Sequence, residues 1–279
     1  MTGLDWIWVV FLIFALQPLV AQRWLRTMRA SKLSRIQRSR QSRVIAIIHR
    51  QEAMRFFGFP LARYIDMDDA EEVLQAIRTT PSQTPIDVIL HTPGGMAIAA
   101  LQIARALKAH TGKVTMFVPH FAMSGGTLIA LAAHEIVMSE HAVLGAIDPQ
   151  INGMPAASII RVTRDKPIAE IDDETLIFAD LGHKAIEQLK RAALELLSER
   201  MPPEQAARLA DKLTDGSRTH DYPITVQEAR SLGLNVSIAM PQEMLDLLAL
   251  FPQPVRRQES VEYGPIASKT IMISSRDHG

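Results

Sequence analysis

The sequence contains no cysteine among its 279 residues. This absence excludes a scaffold held by disulfides, a metal site built on thiolates and a cysteine nucleophile. The sequence also lacks an excess of charge of either sign, since 30 basic side chains balance 30 acidic ones. With 47% apolar residues, the chain is long enough to form one large domain or two small ones.

Several functional fingerprints are absent as well. The sequence contains no G-x-G-x-x-G and no G-K-[ST], the glycine-rich motifs that bind nucleotides. His134 and Glu135 are not followed by a histidine at the position that the zinc motif H-E-x-x-H requires. The sequence has neither an internal repeat nor a low-complexity stretch. A nucleotide-binding protein and a zinc protease of this kind are therefore not supported.

The balanced total hides an uneven distribution of charge. Residues 1–22 contain one acid, Asp5, and no base. Residues 44–279 carry 22 bases and 29 acids, a net charge of −7, which disfavours nucleic-acid binding by this main body. The segment 23–43 between them contains no acid and eight bases: Arg23, Arg26, Arg29, Lys32, Arg35, Arg38, Arg40 and Arg43.

The N-terminal segment has the pattern of a membrane anchor. Trp6–Gln22 are 17 consecutive uncharged residues, which as a helix span roughly 25 Å of a hydrocarbon layer about 30 Å thick. Trp6, Trp8 and Trp24, which bracket the run, suit the two lipid–water boundaries. A buried core helix or an in-plane amphipathic anchor is the alternative. Because the bases follow the apolar run, the main body is expected on the cytoplasmic side. The basic segment itself is either a lipid-headgroup contact or a solvated linker.

The main body alternates between strand and helix patterns. This order predicts an α/β fold with a largely parallel sheet covered by helices. A further helix begins at Thr225, which forms a capping box with Glu228, and ends at Gly233. The predicted strands are Val44–Ile48, Ile86–His91, Val114–Val118 and Glu135–Met138, and the other predicted helices are Asp68–Ile77, Ala97–Ala109, Gly125–Ala133 and Thr175–Glu199.

Two turns with consecutive glycines contain the candidate functional groups. The first, HTPGG over His91–Gly95, follows a predicted strand and precedes a helix. Two glycines allow backbone conformations barred to other residues and let backbone N–H groups approach a ligand closely. Such a turn can hold an anion, whether a phosphate or the oxygen of a reacting carbonyl. An ordinary tight connection is the alternative.

The second turn, FAMSGG over Phe121–Gly126, also joins a predicted strand to a helix. A serine at such a bend can attack a carbonyl while the first N–H groups of the helix stabilise the oxyanion. Taken alone, Ser124 is better explained as a helix N-cap, and the motif lacks the first glycine of the G-x-S-x-G elbow of α/β-hydrolases. Because both turns lie where open α/β sheets place their sites, they together favour a nucleophile.

A serine nucleophile needs a base, and none of the nine histidines has a diagnostic spacing to Ser124. A lysine can act as the base when burial lowers its pKa, and Ser–Lys pairs are a known variant of this arrangement. Lys184 lies on the flank of the apolar stripe of the predicted helix Thr175–Glu199, from where a long side chain can turn inward. A solvated surface lysine is the alternative.

HTPGG, followed by AMSGGTLIALAAHEIVMSEHAVLGAIDPQI, resembles the ClpP/SppA superfamily of serine peptidases. With THDYPITVQEARSLGL, the sequence is most similar to the membrane-associated serine dehydrogenase proteinase branch, near the signal peptide peptidases, over roughly Ile45–Val236. The resemblance implies the ClpP/crotonase fold, a right-handed spiral of β-β-α units, which usually assembles into oligomers. A homo-oligomer is therefore expected.

Carried over by position, the resemblance implies that Ser124 is the nucleophile. The backbone N–H groups of Gly95 and Gly125 would form the oxyanion hole, with Gly94 lining the site beside them. In the Ser–Lys members of the superfamily the base comes from a helix downstream of the serine, which points to Lys184.

The sequence departs from the ClpP pattern at one position. ClpP-type members place a histidine base in a stretch that here reads GAIDPQ, and Asp148 stands where that histidine is expected. A ClpP-like triad is therefore disfavoured and the Ser–Lys form is favoured. His220, next to Asp221 in THDYP, either lines the site or fixes a turn before Pro223.

The sequence therefore predicts a membrane-anchored serine endopeptidase that acts on polypeptides and needs neither a metal nor an organic cofactor. Its expected organisation is a transmembrane anchor over 1–22, a basic juxtamembrane linker over 23–43, a catalytic domain over 44–251 and a polar tail over 252–279. Two alternatives remain open. One is an acyl-CoA hydratase or isomerase of the same fold, which would use carboxylates rather than a serine. The other is an inactive membrane scaffold, which a Lys184 that is fully exposed and far from Ser124 in every subunit of the assembly would support.

Overall fold

The structure, a computed structural model, describes residues 3–49, 55–56, 59–60 and 64–251 of the chain. The side chains of residues 3–15, 18, 19, 21, 55, 56, 59 and 60 are not part of that description. The predicted polar tail 252–279 lies outside the described residues.

Helices and strands alternate along the described chain. The helices are α1 (Gly3–Arg40), α2 (Met67–Arg78), α3 (Ala97–Ala109), α4 (Gly125–Ala130), α5 (Ala156–Asp165), α6 (Asp173–Leu197), α7 (Pro203–Thr214), α8 (Val226–Ser231) and α9 (Gln242–Ala249), with one 3₁₀ turn at Ile168–Glu170. The strands are β1 (Arg43–Ile48), β2 (Arg55–Phe56), β3 (Phe59–Pro60), β4 (Ile86–His91), β5 (Val114–Val118), β6 (Phe121–Ala122), β7 (Glu135–Met138), β8 (Val143–Leu144), β9 (Gln150–Ile151), β10 (Met154–Pro155), β11 (Ile224–Thr225) and β12 (Val236–Ser237).

A parallel five-stranded sheet organises the body, in the order β1-β4-β5-β7-β12. The prediction of an α/β fold with a mostly parallel sheet is confirmed. The four predicted strands agree with β1, β4, β5 and β7 within one residue, since continuous apolar runs are typical of strands buried on both faces. The fifth strand, β12, is only two residues long and was not predicted. Parallel strands place all their carboxyl ends at one edge, so the segments that follow β4 and β5 meet there.

The two faces of the sheet are covered by different helices. Alternate residues of β4 face opposite ways, so that Val88 and Leu90 pack with α2, α3 and α4. Ile89, between them, packs instead with Ile36 of α1 and Met244 of α9. The first of these two clusters is the larger, and it lies beneath the edge where the glycine turns meet.

Three short strands form a second sheet at that edge, in the order β11-β8-β6. An isolated bridge between Thr92 and Ala122 extends its pairing toward the first glycine turn. β4, β5 and β7 are therefore each followed by a short extended segment in this second layer. This repeated arrangement brings the two glycine turns to the same place.

The C-terminal part of the basic segment packs against the body. α1 is one uninterrupted helix that contains both the apolar run and most of the basic segment. The Nε of Arg29 donates a hydrogen bond to the carbonyl oxygen of Leu250, and Lys32 pairs with Asp246, 2.8 Å away. Ile36 is fully buried. The second half of the predicted linker is therefore part of the folded body.

The predicted anchor belongs to the N-terminal half of α1. No helix among the described residues is both long enough and apolar enough to cross a membrane. Most side chains of Trp6–Gln22 do not belong to the described set.

Candidate active site

Ser124 occupies a strained turn between β6 and α4. The N–H of Gly126 donates a hydrogen bond of 2.7 Å to the carbonyl oxygen of Met123, which closes a four-residue turn. At φ 50° and ψ −117°, Ser124 adopts the first central position of a type II′ turn, where glycine is usual. Its side chain makes no capping hydrogen bond to α4. The hydroxyl therefore does not serve as an N-cap, and strain of this kind is typical of functional positions.

The HTPGG turn lies directly against the serine turn. Gly94 and Gly95 have φ values of 110° and 153°, which other residues rarely adopt. A methyl group in place of a hydrogen on Gly94 would lie 2.7 Å from the Cβ of Ser124. On Gly95 it would lie 2.3 Å from the carbonyl oxygen of Ile65. Gly94 is therefore required for the close approach of the two turns, and Gly95 for the close approach of the HTPGG turn to Ile65.

Two backbone N–H groups are available beside Ser124. A methyl group on Gly125 would lie 3.6 Å from the amide nitrogen of Gly95, so the two glycines are neighbours. Within the described residues, neither amide donates a hydrogen bond to another protein group. Gly95, Ser124 and Gly125 all line one cavity. Paired N–H donors next to a serine hydroxyl are the arrangement that stabilises an oxyanion.

The cavity has a volume of about 880 Å³ and extends from the serine turn over α3 and α6. Its walls combine apolar and polar side chains. An apolar cavity with a few convergent polar groups is typical of a binding site. The apolar side chains include Ile98, Leu101, Leu128, Ile147, Ile151 and Leu189, and the polar ones include Gln102, Arg105, Asp148, Gln150, Gln188 and His220.

A histidine–carboxylate pair completes this cavity. The Nδ1 of His220 donates to the Oδ1 of Asp148, 2.8 Å away, although the two residues lie 72 positions apart in the chain. The other carboxylate oxygen of Asp148 accepts a hydrogen bond of 2.6 Å from Gln150. The Asp148 side chain is 3% exposed and that of His220 is 39% exposed. The acid is thus fixed, while the imidazole faces the cavity.

The pair also changes the acidity of the imidazole. The hydrogen bond to Asp148 raises the pKa of His220 above its ordinary value, and this effect outweighs the opposing effect of partial burial. The Nε2 of His220 has no hydrogen-bond partner within the described part of the chain. An imidazole oriented by a carboxylate on one nitrogen can accept a proton on the other.

Lys184 is not brought to the cavity. On α6, Ala185, Gln188 and Leu189 line the cavity, but the ammonium group of Lys184 pairs with Asp180, one helical turn earlier. Its side chain is 63% exposed. The expectation of a lysine in an apolar pocket is therefore not met in this structure, because the rotation of α6 directs Lys184 to solvent. Its role as a base stays a prediction.

The structure brings together Gly94, Gly95, Ser124, Gly125 and the His220–Asp148 pair. Sequence reasoning named these positions but did not link the last two to each other. The only sequence signal was the position of Asp148 in the stretch where the ClpP pattern has its histidine. The pairing arises because the loop before β11 returns beside the loop after β8.

Known proteins are similar to nearly the whole length of this chain. The family model of ClpP-like SDH-type serine proteinases matches residues 1–275. Two uncharacterized proteins of Methanocaldococcus jannaschii are each 46% identical to this chain. Their alignments cover 96% and 95% of this chain and 93% and 91% of the relatives.

Two solved structures are similar to this chain at lower identity. Both are alanine mutants of the 1510-N membrane-bound stomatin-specific protease, and one of them holds a substrate peptide. They are 20% and 21% identical, with a TM-score of 0.45, and the alignments cover 73% of this chain and 82% and 77% of those chains. Residue roles do not transfer at this level of similarity.

Proposed function

Because the chain belongs to the ClpP-like SDH-type serine proteinases, we propose that it hydrolyses peptide bonds with Ser124 as the nucleophile. One observation carries this proposal: Ser124 is held uncapped in a strained turn, in the same cavity as two free amides and the His220–Asp148 pair. The size of the cavity suits the side chains of a polypeptide substrate.

The geometry supports a mechanism in which His220 is the base. Its Nε2 takes the proton of the Ser124 hydroxyl as the serine oxygen attacks the scissile carbonyl. The N–H groups of Gly95 and Gly125 stabilise the oxyanion. His220 then gives the proton to the departing amine, and a water molecule releases the acyl group by the same steps. Asp148 orients the imidazole and stabilises its protonated form.

The Ser–Lys mechanism implied by the family resemblance is the competing proposal. It requires Lys184 to leave Asp180, lose most of its hydration and reach Ser124. The ammonium group of Lys184 pairs with Asp180, and the lysine side chain is about two-thirds exposed. It therefore stays hydrated, whereas a lysine base requires burial that removes the amine from water. The His220–Asp148 pair also favours catalysis over an inactive scaffold, since it supplies a base that does not depend on Lys184.

Labelling with a fluorophosphonate tests the nucleophile. The wild-type protein should be modified at Ser124, and Ser124→Ala should abolish the modification. Ser139→Ala is the matched control, because Ser139 follows the neighbouring strand β7 at the same sheet edge and should not affect labelling. Labelling that persists in Ser124→Ala, or that maps to another residue, would show that the nucleophile is misassigned.

We further propose that residues 1–22 anchor the protein in the cell membrane as a single pass, with the body on the cytoplasmic side. The uncharged run and the bases that follow it support this orientation. The full chain should remain in the membrane fraction after an alkaline carbonate wash. A protease added to sealed right-side-out vesicles should not cleave residues 44–279. Release by carbonate, or cleavage in sealed vesicles, would contradict the proposal.

Two finer implications of the resemblance stay predictions. They are the right-handed spiral of β-β-α units and the assembly into a homo-oligomer. Light scattering of the detergent-solubilised full chain measures its subunit number, and a monomeric mass would contradict the second implication.

A further inference from the structure

A buried histidine lies behind the HTPGG turn, on the side away from the main cavity. His49 follows β1, and its side chain is 6% exposed. Its Nδ1 is 3.0 Å from the hydroxyl oxygen of Thr92, and its Nε2 is 3.1 Å from the Oδ2 of Asp69. Both ring nitrogens are therefore occupied, so this imidazole is fixed in place.

Thr92 connects the histidine to the backbone of the turn. The N–H of Gly94 donates to the hydroxyl oxygen of Thr92 at 3.2 Å, and that oxygen is 3.3 Å from the carbonyl oxygen of Gly94. A hydroxyl has one hydrogen to donate and two lone pairs to accept with. When His49 donates its Nε2–H to Asp69, its Nδ1 accepts the hydroxyl hydrogen, and the oxygen of Thr92 stays free to accept from Gly94.

The peptide between Gly94 and Gly95 is the part of the turn that matters for chemistry. The carbonyl oxygen of Gly94 accepts a hydrogen bond of 2.8 Å from the N–H of Ile65. In a planar trans peptide the C=O and N–H bonds point in opposite directions, and the described chain has no cis bond. Fixing the oxygen of Gly94 therefore directs the N–H of Gly95 away from Ile65.

The acid of this network comes from the first turn of α2. Asp69 also completes a reciprocal capping box with Asp66. Burial raises the pKa of Asp69, but hydrogen bonds to His49 and Asp66 bring it below the ordinary value. Asp69 is therefore a stable acceptor, and it ties α2 to the ends of β1 and β4 around the Gly94 peptide.

We propose that His49 and Thr92, supported by Asp69, are positioning residues that hold the Gly95 N–H toward the oxyanion formed at Ser124. This inference rests on the proposed function. Donors fixed in direction before the reaction stabilise the oxyanion without reorganisation, and removing a donor completely costs about 10²–10³-fold in rate. Loosening a donor, rather than removing it, should cost roughly tenfold.

Thr92 also has a packing role, which the experiment has to separate from positioning. A methyl group on Gly126 would lie 2.6 Å from the Cγ2 of Thr92, so the threonine methyl fills the space beside that glycine. Thr92→Val keeps this methyl group and removes the hydroxyl. Thr92→Ser keeps the hydroxyl and removes the methyl group.

The test compares these two variants in the full chain. The readouts are the rate of acylation of Ser124 by a fluorophosphonate and the affinity for a peptide aldehyde relative to the matching alcohol. Only the aldehyde adds to the serine and forms an oxyanion, so the ratio of affinities reports on the oxyanion hole. Thr92→Val should lower both readouts roughly tenfold, without changing the alcohol affinity, whereas Thr92→Ser should keep both within about twofold.

Thr80→Val is the matched control, since it removes the hydroxyl of another buried threonine, which bonds to the carbonyl of Ala76. It should change neither readout. If Thr92→Val does not fold, Asp69→Asn tests the same network and should lower the aldehyde-to-alcohol ratio. A larger loss in Thr92→Ser than in Thr92→Val, or an unchanged ratio in the variant that folds, overturns the inference alone. A wild-type protein that does not react at Ser124 overturns the proposed function, and this inference with it.

Discussion

Two histidines of this protein each pair with a carboxylate, and their surroundings are opposite. At the first pair His49 is buried, and Asp69 is 31% exposed. At the second pair Asp148 is buried, and His220 is 39% exposed. Thr92 occupies the remaining nitrogen of His49. Within the described residues, the remaining nitrogen of His220 is unoccupied.

This difference shows that a carboxylate partner does not by itself make a histidine a base. A base needs a nitrogen that can reach the reacting group. His220 lines the cavity of Ser124 with one ring nitrogen unoccupied within the described residues, and His49 does not line that cavity. We therefore propose proton transfer for His220 and positioning for His49.

The largest expected effect comes from His220. His220→Ala removes the proposed base and should reduce acylation of Ser124 by about 10³-fold. The measurement is the rate of labelling with a fluorophosphonate at a pH where the wild-type rate no longer rises with pH. His141→Ala, at an exposed position, is the control and should match the wild type. If His220→Ala is labelled at the wild-type rate, His220 is not the base, and the two histidine–carboxylate pairs do not differ in this function.

Asp148→Asn should have the next largest effect, on both rate and pH dependence. Because the pKa of His220 is raised mainly by its hydrogen bond to Asp148, the neutral imidazole becomes the main form at a higher pH than for an ordinary histidine. Wild-type acylation should therefore rise with pH through an inflection above about 6.5. In Asp148→Asn the inflection should move to lower pH, and the maximal rate should fall by roughly 10²-fold. An inflection that stays in place would mean that another group sets it.

His49→Ala should have a smaller effect of a different kind. The maximal rate should fall roughly tenfold, because the oxyanion hole loosens while the base stays intact. KM and the pH inflection should stay unchanged, since His49 does not line the cavity of Ser124. Peptide hydrolysis measured across pH separates these parameters. A displaced inflection would mean that His49 takes part in proton transfer.

Lys184→Ala should have the smallest effect. It removes an exposed ion pair within one helix, which contributes about 0.3–0.5 kcal/mol to stability. Labelling of Ser124 should stay within about twofold of the wild type. If Lys184→Ala abolishes labelling and His220→Ala does not, the base is the lysine and both histidine pairs are structural.

The basic segment shows where sequence reasoning reached its limit. Its bases, many of them three residues apart, predict a lipid-headgroup contact or a solvated linker. In the structure Ile36 lies among them, fully buried against the sheet, and Lys32 pairs with Asp246. Periodicity identifies one face of a helix, but it does not tell which surface that face meets.

The sequence alone determined the parallel α/β body. The apolar runs of β4 and β5 specify buried strands, and the glycines permit the tight turns that follow them. It also determined that Ser124 and Gly95 meet, since both follow neighbouring parallel strands. Only the tertiary structure placed the His220–Asp148 pair in the cavity of Ser124 and paired Lys184 with Asp180 outside it. Asp148 and His220 lie 72 positions apart, and Lys184 faces solvent through the rotation of α6, so no local pattern encodes either placement.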